Sequence, residues 1–280
     1  MMRPRSVARG VEAFAARTPT LPPATHTNSY ALGDRDVLLV EPATPYDDER
    51  VEWLAWARGI ASTGRRLVAI VLTHHHPDHV GGAAFLAGEL GLPVWAHRET
   101  ATRVADVTVA RALDEGEALV LDGPTPARWE VLLTPGHAPG HVCLLDAERG
   151  TIVCGDMVAS VGTIVVDPLE GDMAEYLAQL RRLAGIGARV ALPAHGDPID
   201  EPTRHFERYI AHRHMREAKV LAALARVGQA GAPSEALVPQ AYDDTPPIAW
   251  PLARLSLEAH LVKLEREGRA RRGAEGWLLA

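Results

Sequence analysis

The sequence predicts an α/β layered domain over residues 1–203 and a small winged-helix-like domain over residues 204–280. Three observations lead there. Short apolar runs alternate with helical patterns from position 36 to about 192, as in a sheet covered by helices. A turn-rich stretch, Asp197-Pro198-Ile199-Asp200-Glu201-Pro202, then breaks the pattern. Beyond it come three helical patterns and a terminal alternation, and the charge balance changes sign: 18 basic against 27 acidic residues through position 204, 11 against 9 after it.

Each element has its own signal. Residues 37–40 and 67–72 are continuous apolar runs, suited to strands buried on both faces. Between them, 48–62 carries Val51, Trp53, Leu54, Ala55, Trp56 and Ile60 and keeps one polar face, the pattern of a helix lying on a sheet. A helix over 80–90 and a strand at 93–95 follow. Strands are expected at 129–133, 141–145 and 151–154; a turn at 146–150 joins the last two, so Cys143 and Cys154 are expected to face each other as buried, reduced thiols. A helix at 173–184 and a strand at 189–192 complete the domain. In the tail, helices are expected at 204–227, 234–238 and 248–267, and 269–279 alternates about a glycine-bounded turn. Three helices and a hairpin outline a winged helix.

Composition narrows the class. At 280 residues, 47% apolar and 23% charged, the chain is long enough for one medium and one small domain, and disorder, collagen and coiled coil are excluded as whole-chain descriptions. No repeat of 20–50 residues is present. The first thirty residues lack a secretory pattern, and no apolar run approaches the roughly 18 residues of a spanning helix, so a cytoplasmic protein without a membrane partner is expected. A net charge of −7 offers no long basic furrow for a polyanion, and 5% aromatics leave little for a base-stacking platform.

The chemistry concentrates in Thr73-His74-His75-His76-Pro77-Asp78-His79, directly after an apolar run. Pro77 bars His76 from helical conformation, so His74, His76, Asp78 and His79 share a tight loop. His74 and His76 alternate toward one metal, while Asp78 and His79, at the head of a helix, turn toward a second. Such a spacing arises by chance on the order of once in several hundred chains of this composition. Three further candidates stand where apolar strands end: His137 in Pro135-Gly136-His137-Ala138-Pro139-Gly140, Asp156 after Gly155, and His195 before Gly196. Imidazole and carboxylate at about 2.0–2.2 Å suit zinc, and two metals about 3.5–4 Å apart can share and activate one water.

With these motifs in place the chain resembles the metallo-β-lactamase fold superfamily over roughly residues 28–200. The resemblance implies an αββα four-layer sandwich with a dinuclear site, usually zinc, with iron or manganese as alternatives. It assigns His74, His76 and His137 to one metal, Asp78, His79 and His195 to the other, and Asp156 to both as a bridge. The nucleophile would be a bridging hydroxide, formed when the shared water gives its proton to Asp78, the catalytic residue, which also orients it. Asn28 and Tyr30 are expected at the site entrance, His141 behind the ligands, and His212 and His260 beside the cleft. Residues 209–213 and 255–269 resemble the tail of the lactamase-β-like subgroup, which includes thioesterases and a single-strand endoribonuclease.

The reading that follows is a zinc hydrolase of a small-molecule ester or acyl thioester. A metal-dependent endoribonuclease on single-stranded RNA is the alternative, and a non-catalytic winged-helix regulator binding duplex DNA is a third, disfavoured one. The sequence does not specify the oligomeric state.

Overall fold

The computed structural model describes residues 4–280, which divide into two compact units. The first comprises the chain to Thr134, Pro139–Thr163 and Gly187–Pro202; the second comprises Pro135–Ala138, Ile164–Ile186 and Thr203–Ala280.

The first unit holds two sheets. The larger runs in chain order through β1 (Arg5–Ala8), β2 (Val11–Arg17), β3 (His26–Leu32), β4 (Asp36–Val40), β5 (Arg66–Val71), β6 (Val94–Ala96) and β7 (Val109–Ala112). Its pairing is antiparallel up to β4 and parallel beyond. The smaller has the order β12-β11-β10-β9-β8, from β8 (Ala118–Leu121), β9 (Ala127–Leu133), β10 (Val142–Asp146), β11 (Thr151–Gly155) and β12 (Val190–Pro193). Only β11 and β12 pair in parallel, and the crossover that parallel pairing requires carries α5 (Met173–Ile186), which packs in the second unit. Leu38, Val40, Val71, Trp129, Val131, Leu144 and Val153 form one core from residues of both sheets. The other face of the larger sheet is covered by α1 (Asp47–Ser62) and α3 (Ala83–Leu90) through Trp53, Trp56, Ile60 and Leu86. Three acidic residues in the first turn of α1, Asp47, Asp48 and Glu49, complement its dipole.

The helix expected at 80–90 is divided. A short α2 (Pro77–Val80) starts on Pro77, a position where the missing N–H costs nothing, and Gly81-Gly82 separates it from α3. Gly82 N–H donates instead to Pro42 O at 2.8 Å, which ties the helix entry to the chain after β4. β1 to β3 lie ahead of the first expected strand: β1 and β3 are largely polar in sequence, and β2, although buried through Val11 and Phe14, is otherwise mostly alanine. In β3, Thr27, Asn28 and Ser29 are buried yet polar: Thr27 Oγ1 shares a 2.8 Å hydrogen bond with Thr18 Oγ1, and Ser29 Oγ accepts from Trp53 Nε1 at 2.8 Å and donates to Glu41 O. β7, β8 and the short α4 (Arg98–Ala101) also lack a clear period. Cys143 and Cys154 are buried thiols outside any disulfide, on the paired strands β10 and β11, one step beyond the Leu144–Val153 partners, and Cys143 Sγ lies 3.3 Å from Thr134 Oγ1.

The second unit contains α5 with α6 (Pro202–Val227), α7 (Ser234–Ala241), α8 (Trp250–Arg266) and the hairpin β13 (Ala270–Gly273) with β14 (Gly276–Leu279). Val220, Leu224, Leu237, Leu257, Leu261, Leu264 and Trp277 form its core. A single-residue β-bridge joins the hairpin, where Ala232 and Trp277 exchange backbone hydrogen bonds of 3.0 and 2.7 Å. Gly276 permits that approach: at φ +126°, a Cβ there would lie 2.3 Å from Ala232 O. This is a winged helix.

His260 corrects one expectation. It does not stand beside a cleft but inside this unit, fully buried, and neither ring nitrogen has a hydrogen-bond partner among the described residues. Burial pulls its pKa down to about 3, aided by Arg213 and Lys263. Above about pH 6.5 the ring is neutral in both folded and unfolded chains; below it only the unfolded chain binds the proton. Stability should therefore fall with acidification, by up to about 1.4 kcal/mol per pH unit on the way toward the folded value. Urea midpoints measured from pH 7.5 to 5 should drop less steeply in His260→Leu than in the native protein. Parallel slopes would contradict this account.

Candidate metal centre

The C-terminal ends of β4, β5, β11 and β12 carry polar side chains where the apolar runs stop. The loop after β5 supplies His74 and His76, α2 supplies Asp78 and His79, the end of β11 leads to Asp156, and the end of β12 leads to His195. All six lie in the first unit. His74 Nε2 and His76 Nδ1 face each other at 2.9 Å, as two donors converging on one point. Asp78, His79 and His195 bring one ligand atom each within 4.8 Å of the others. Asp156 sits between the last two, with Oδ1 3.3 Å from His195 Nε2 and Oδ2 3.6 Å from His79 Nε2. Asp78 lies nearer to solvent, 3.6 Å from His195 Nε2. The seventh expected residue, His137, is on the loop 135–138 between β9 and β10, which belongs to the second unit. There its Nδ1–H donates to Val165 O at 2.9 Å, a tautomer that puts the lone pair on Nε2.

The rings are held by partners that fix their tautomers. His195 Nδ1–H donates to His26 O at 3.1 Å, and His79 Nδ1–H donates to Glu41 Oε2; in both rings Nε2 keeps its lone pair toward Asp156. His79 Nε2 is buried and has no hydrogen-bond partner among the described residues. An orphaned acceptor facing carboxylates is the signature of a missing cation, and the donor set of imidazoles and carboxylates suits a divalent metal. The electrostatics agree. Burial opposes charge on His79, but the carboxylates of Glu41, Asp156 and Asp78 outweigh it and hold its pKa well above the ordinary histidine value. His195 is raised in the same way, burial opposing and Asp156 prevailing. Burial pushes Asp156 up, yet His195 and His79 hold it well below the usual carboxylate range. The cluster is short of positive charge, which bound protons supply when no metal is held and a divalent ion would supply in their place.

Glu41 is the residue that sequence reasoning missed. It follows β4, is 1% exposed, and bonds two parts of the motif loop: Oε1 accepts Thr73 N–H at 2.7 Å while Oε2 takes His79. Its backbone is left-handed, φ +61°, an arrangement of order 1 kcal/mol unfavourable for a non-glycine residue, held by Ser29 Oγ on its carbonyl and by its own N–H to Val71 O. The only available signal was a carboxylate at the end of an apolar strand.

His141 stands behind Asp156. Its Nδ1–H donates to Thr134 Oγ1 at 2.8 Å and its Nε2 accepts Asp156 N–H at 3.1 Å. Burial holds its pKa down to about 3, so the ring stays neutral and positions the Asp156 backbone. Gly155 makes room for it: at φ +47°, a Cβ there would lie 2.5 Å from His141 Nε2. Asn28 and Tyr30, expected at the entrance, are buried instead. Asn28 Nδ2 donates to Pro193 O and Gly196 O at 3.0 and 2.8 Å, and Tyr30 OH donates to Pro193 O at 2.6 Å, so both tie β3 to the end of β12 that presents His195.

Residues 22–195 match the family model of the metallo-beta-lactamase superfamily, and residues 234–277 match that of the beta-lactamase associated winged helix domain. Thioesterase pkgB of Emericella nidulans is 36% identical over 161 residues, which are 56% of this chain and 42% of that protein. The solved metallo-beta-lactamase family protein TTHA1429 from Thermus thermophilus is 27% identical, with a TM-score of 0.79 over 97% of this chain and 99% of its own. TTHA1623, solved in a di-iron-bound form, is 28% identical, with a TM-score of 0.51 over 67% of this chain and 96% of its own.

Proposed function

The chain belongs to the metallo-beta-lactamase superfamily and is a metallo-hydrolase of that fold, and from that premise we propose that it binds two zinc ions and hydrolyses acyl thioesters or esters. His74, His76 and His137 would hold one ion, Asp78, His79 and His195 the other, with Asp156 shared between them. When bound, the ions would activate a water and polarise the scissile carbonyl. The remaining work falls to the protein. Glu41 and His26 O hold the His79 and His195 rings with Nε2 forward, His141 fixes the main chain at Asp156, and Asp78, the most solvent-accessible carboxylate of the cluster, is placed to orient the water and take its proton.

The observation that carries the substrate class is the lack of cationic residues in the segments that run into His26, Asp156 and His195. Residues 18–33, which lead to His26 and β3, contain no Asp, Glu, Lys or Arg, and neither do 157–163, which follow Asp156, nor 192–196 around His195. A phosphodiester chain binds through cationic contacts to successive phosphates, and these segments offer none. A neutral acyl group needs none. The 36% identity to a thioesterase points the same way. Duplex DNA reading by α8 is disfavoured on its own geometry: Ala253, Ser256, Leu257, Ala259, His260, Leu261, Lys263 and Leu264 are buried, and its cations are already paired, Arg254 with Glu235, Lys263 with Glu217 at 2.6 Å, and Arg266 with Asp172.

The test is hydrolysis by metal-analysed protein of a panel of acyl thioesters and a labelled single-stranded RNA, each with and without chelator. Chelator-sensitive thioester cleavage is the expected result. Chelator-sensitive RNA cleavage without it, lost in Asp78→Ala, would overturn the assignment in favour of a nuclease. Iron in place of zinc at full activity would overturn the choice of metal alone.

A further inference from the structure

Resting on the assignment of His137 to one of the two metals, we propose that Arg213 is a positioning residue for that ligand, so that α6 sets the direction of a metal-binding ring. The path is short and lies wholly within the second unit. Arg213 Nη2 donates to Ile164 O, and the next carbonyl along the chain, that of Val165, accepts His137 Nδ1–H at 2.9 Å. The guanidinium also stands over the Tyr176 ring, 5.4 Å from its centroid. Tyr176 is the residue on which the ligand loop rests, since a Cβ added to Gly136 would lie 2.3 Å from Tyr176 N. Arg213 therefore meets both supports of the His137 ring, the carbonyl segment that orients it and the helix turn beneath it.

The cost of this arrangement argues that it does more than fill space. Arg213 is 2% exposed, and a cation buried that deeply gives up most of its hydration. An apolar side chain of similar volume often stabilises a core as well or better. What the guanidinium adds is direction, because its planar fork of donors holds a carbonyl along a fixed line, which an aliphatic chain cannot do. A second strut reaches the same loop and is weaker. Asp172 N–H donates to Gly136 O at 2.8 Å, Asp172 Oδ1 accepts from the N–H groups of Ala174 and Glu175 at 2.8 and 3.1 Å, and Arg266 of α8 pairs with Asp172 Oδ2. The side chains of that pair are 62% and 34% exposed, so solvent screens it, and the buried cation carries the effect. Without a fixed Val165 carbonyl the His137 proton can move to Nε2, the nitrogen whose lone pair a metal needs.

The experiment compares the full chain with Arg213→Lys and Arg213→Met, by nitrogen-15 spectra of the imidazoles in metal-free protein and by zinc titration against a chromophoric chelator. Neither measurement needs turnover, so a failure of thioester cleavage leaves the test intact. In the native protein His137 should carry its proton on Nδ1. In Arg213→Met it should become a mixture of tautomers, while the signals of His79 and His195, held by Glu41 and His26 O, stay at their native positions. One of two zinc ions should bind about 10–100-fold more weakly, and the other within about twofold of native. Arg213→Lys keeps the charge but not the fork, and the same ion should weaken about three- to tenfold. An unchanged His137 with both affinities unchanged in a folded variant would overturn the proposal. So would equal displacement of all three histidines, which is the mark of a general loosening. If the native protein binds fewer than two zinc ions, the assignment of His137 to a metal falls and its tautomer alone decides the hold of Arg213 on the ring. Should Arg213→Met fail to fold, Arg213→Lys is judged by the same criteria. Should neither fold, hydrogen exchange of the native chain in urea decides: Asp172 N–H opening together with the amides of α6 supports the proposal, and its opening while α6 stays closed overturns it.

Discussion

Asp156→Asn should lose at least one of two bound metal ions and lower kcat/KM for the native substrate by at least about 10²–10³-fold, the range that loss of one preorganised electrostatic group costs. The carboxylate is 7% exposed and lies 3.3 Å from His195 Nε2 and 3.6 Å from His79 Nε2. An amide of the same shape preserves packing, and His141 still accepts the residue 156 backbone N–H, so the main chain has no reason to move. The negative charge that both imidazoles face is gone. Elemental analysis of dialysed protein, kcat/KM and far-ultraviolet circular dichroism would be measured together. Native-like dichroism with depleted metal and lost turnover is the expected combination; two tightly held ions with full turnover would refute the bridging role of Asp156.

The second large effect comes from a residue that would touch no substrate. In Glu41→Gln the side chain can no longer accept two hydrogen bonds through two oxygens. If its oxygen keeps Thr73 N–H, its amide group points at His79 Nδ1 and drives the proton to Nε2, the nitrogen that faces Asp156. If it turns over, the amide meets Thr73 N–H donor to donor. Either arrangement spoils a metal ligand, and affinity should fall about 10–100-fold, as is usual when a group supporting a metal-bound histidine is altered. Competition against a chromophoric chelator reads the affinity, and nitrogen-15 spectra of the imidazoles read the tautomer. An unchanged Nδ1–H tautomer with unchanged affinity would remove Glu41 from the site.

The folded chain also explains which parts of this centre were legible beforehand. His74, His76, Asp78 and His79 are neighbours in sequence, so their spacing carries their geometry: an extended loop, a proline and a helix start dictate which way each side chain turns. Asp156 and His195 were visible as strand ends, because an apolar run that stops at a glycine and a ligand-type residue is a local pattern. Glu41 was not, since a glutamate before a proline reads as a turn until His79, thirty-eight positions away, is seen to bond it. Asn28 and Tyr30 were visible as polar residues near the site but were expected at its entrance, and only the sheet register shows them turned inward to the carbonyls of Pro193 and Gly196. The single helix expected at 80–90 is likewise two, because the chain at Gly82 is claimed by Pro42 O rather than by its own helix.

By itself, then, the sequence determined the layered α/β class, the winged-helix tail and a set of metal-ligand types at strand ends, because apolar period, turn chemistry and donor spacing are properties of contiguous residues. The tertiary structure decided which groups surround those donors. Glu41 and His26 O set the ring tautomers, His141 holds the Asp156 main chain, and His260 is core and not cleft. Those are contacts between residues tens to well over a hundred positions apart, and no local pattern encodes a partner that the chain meets only when its sheets are assembled.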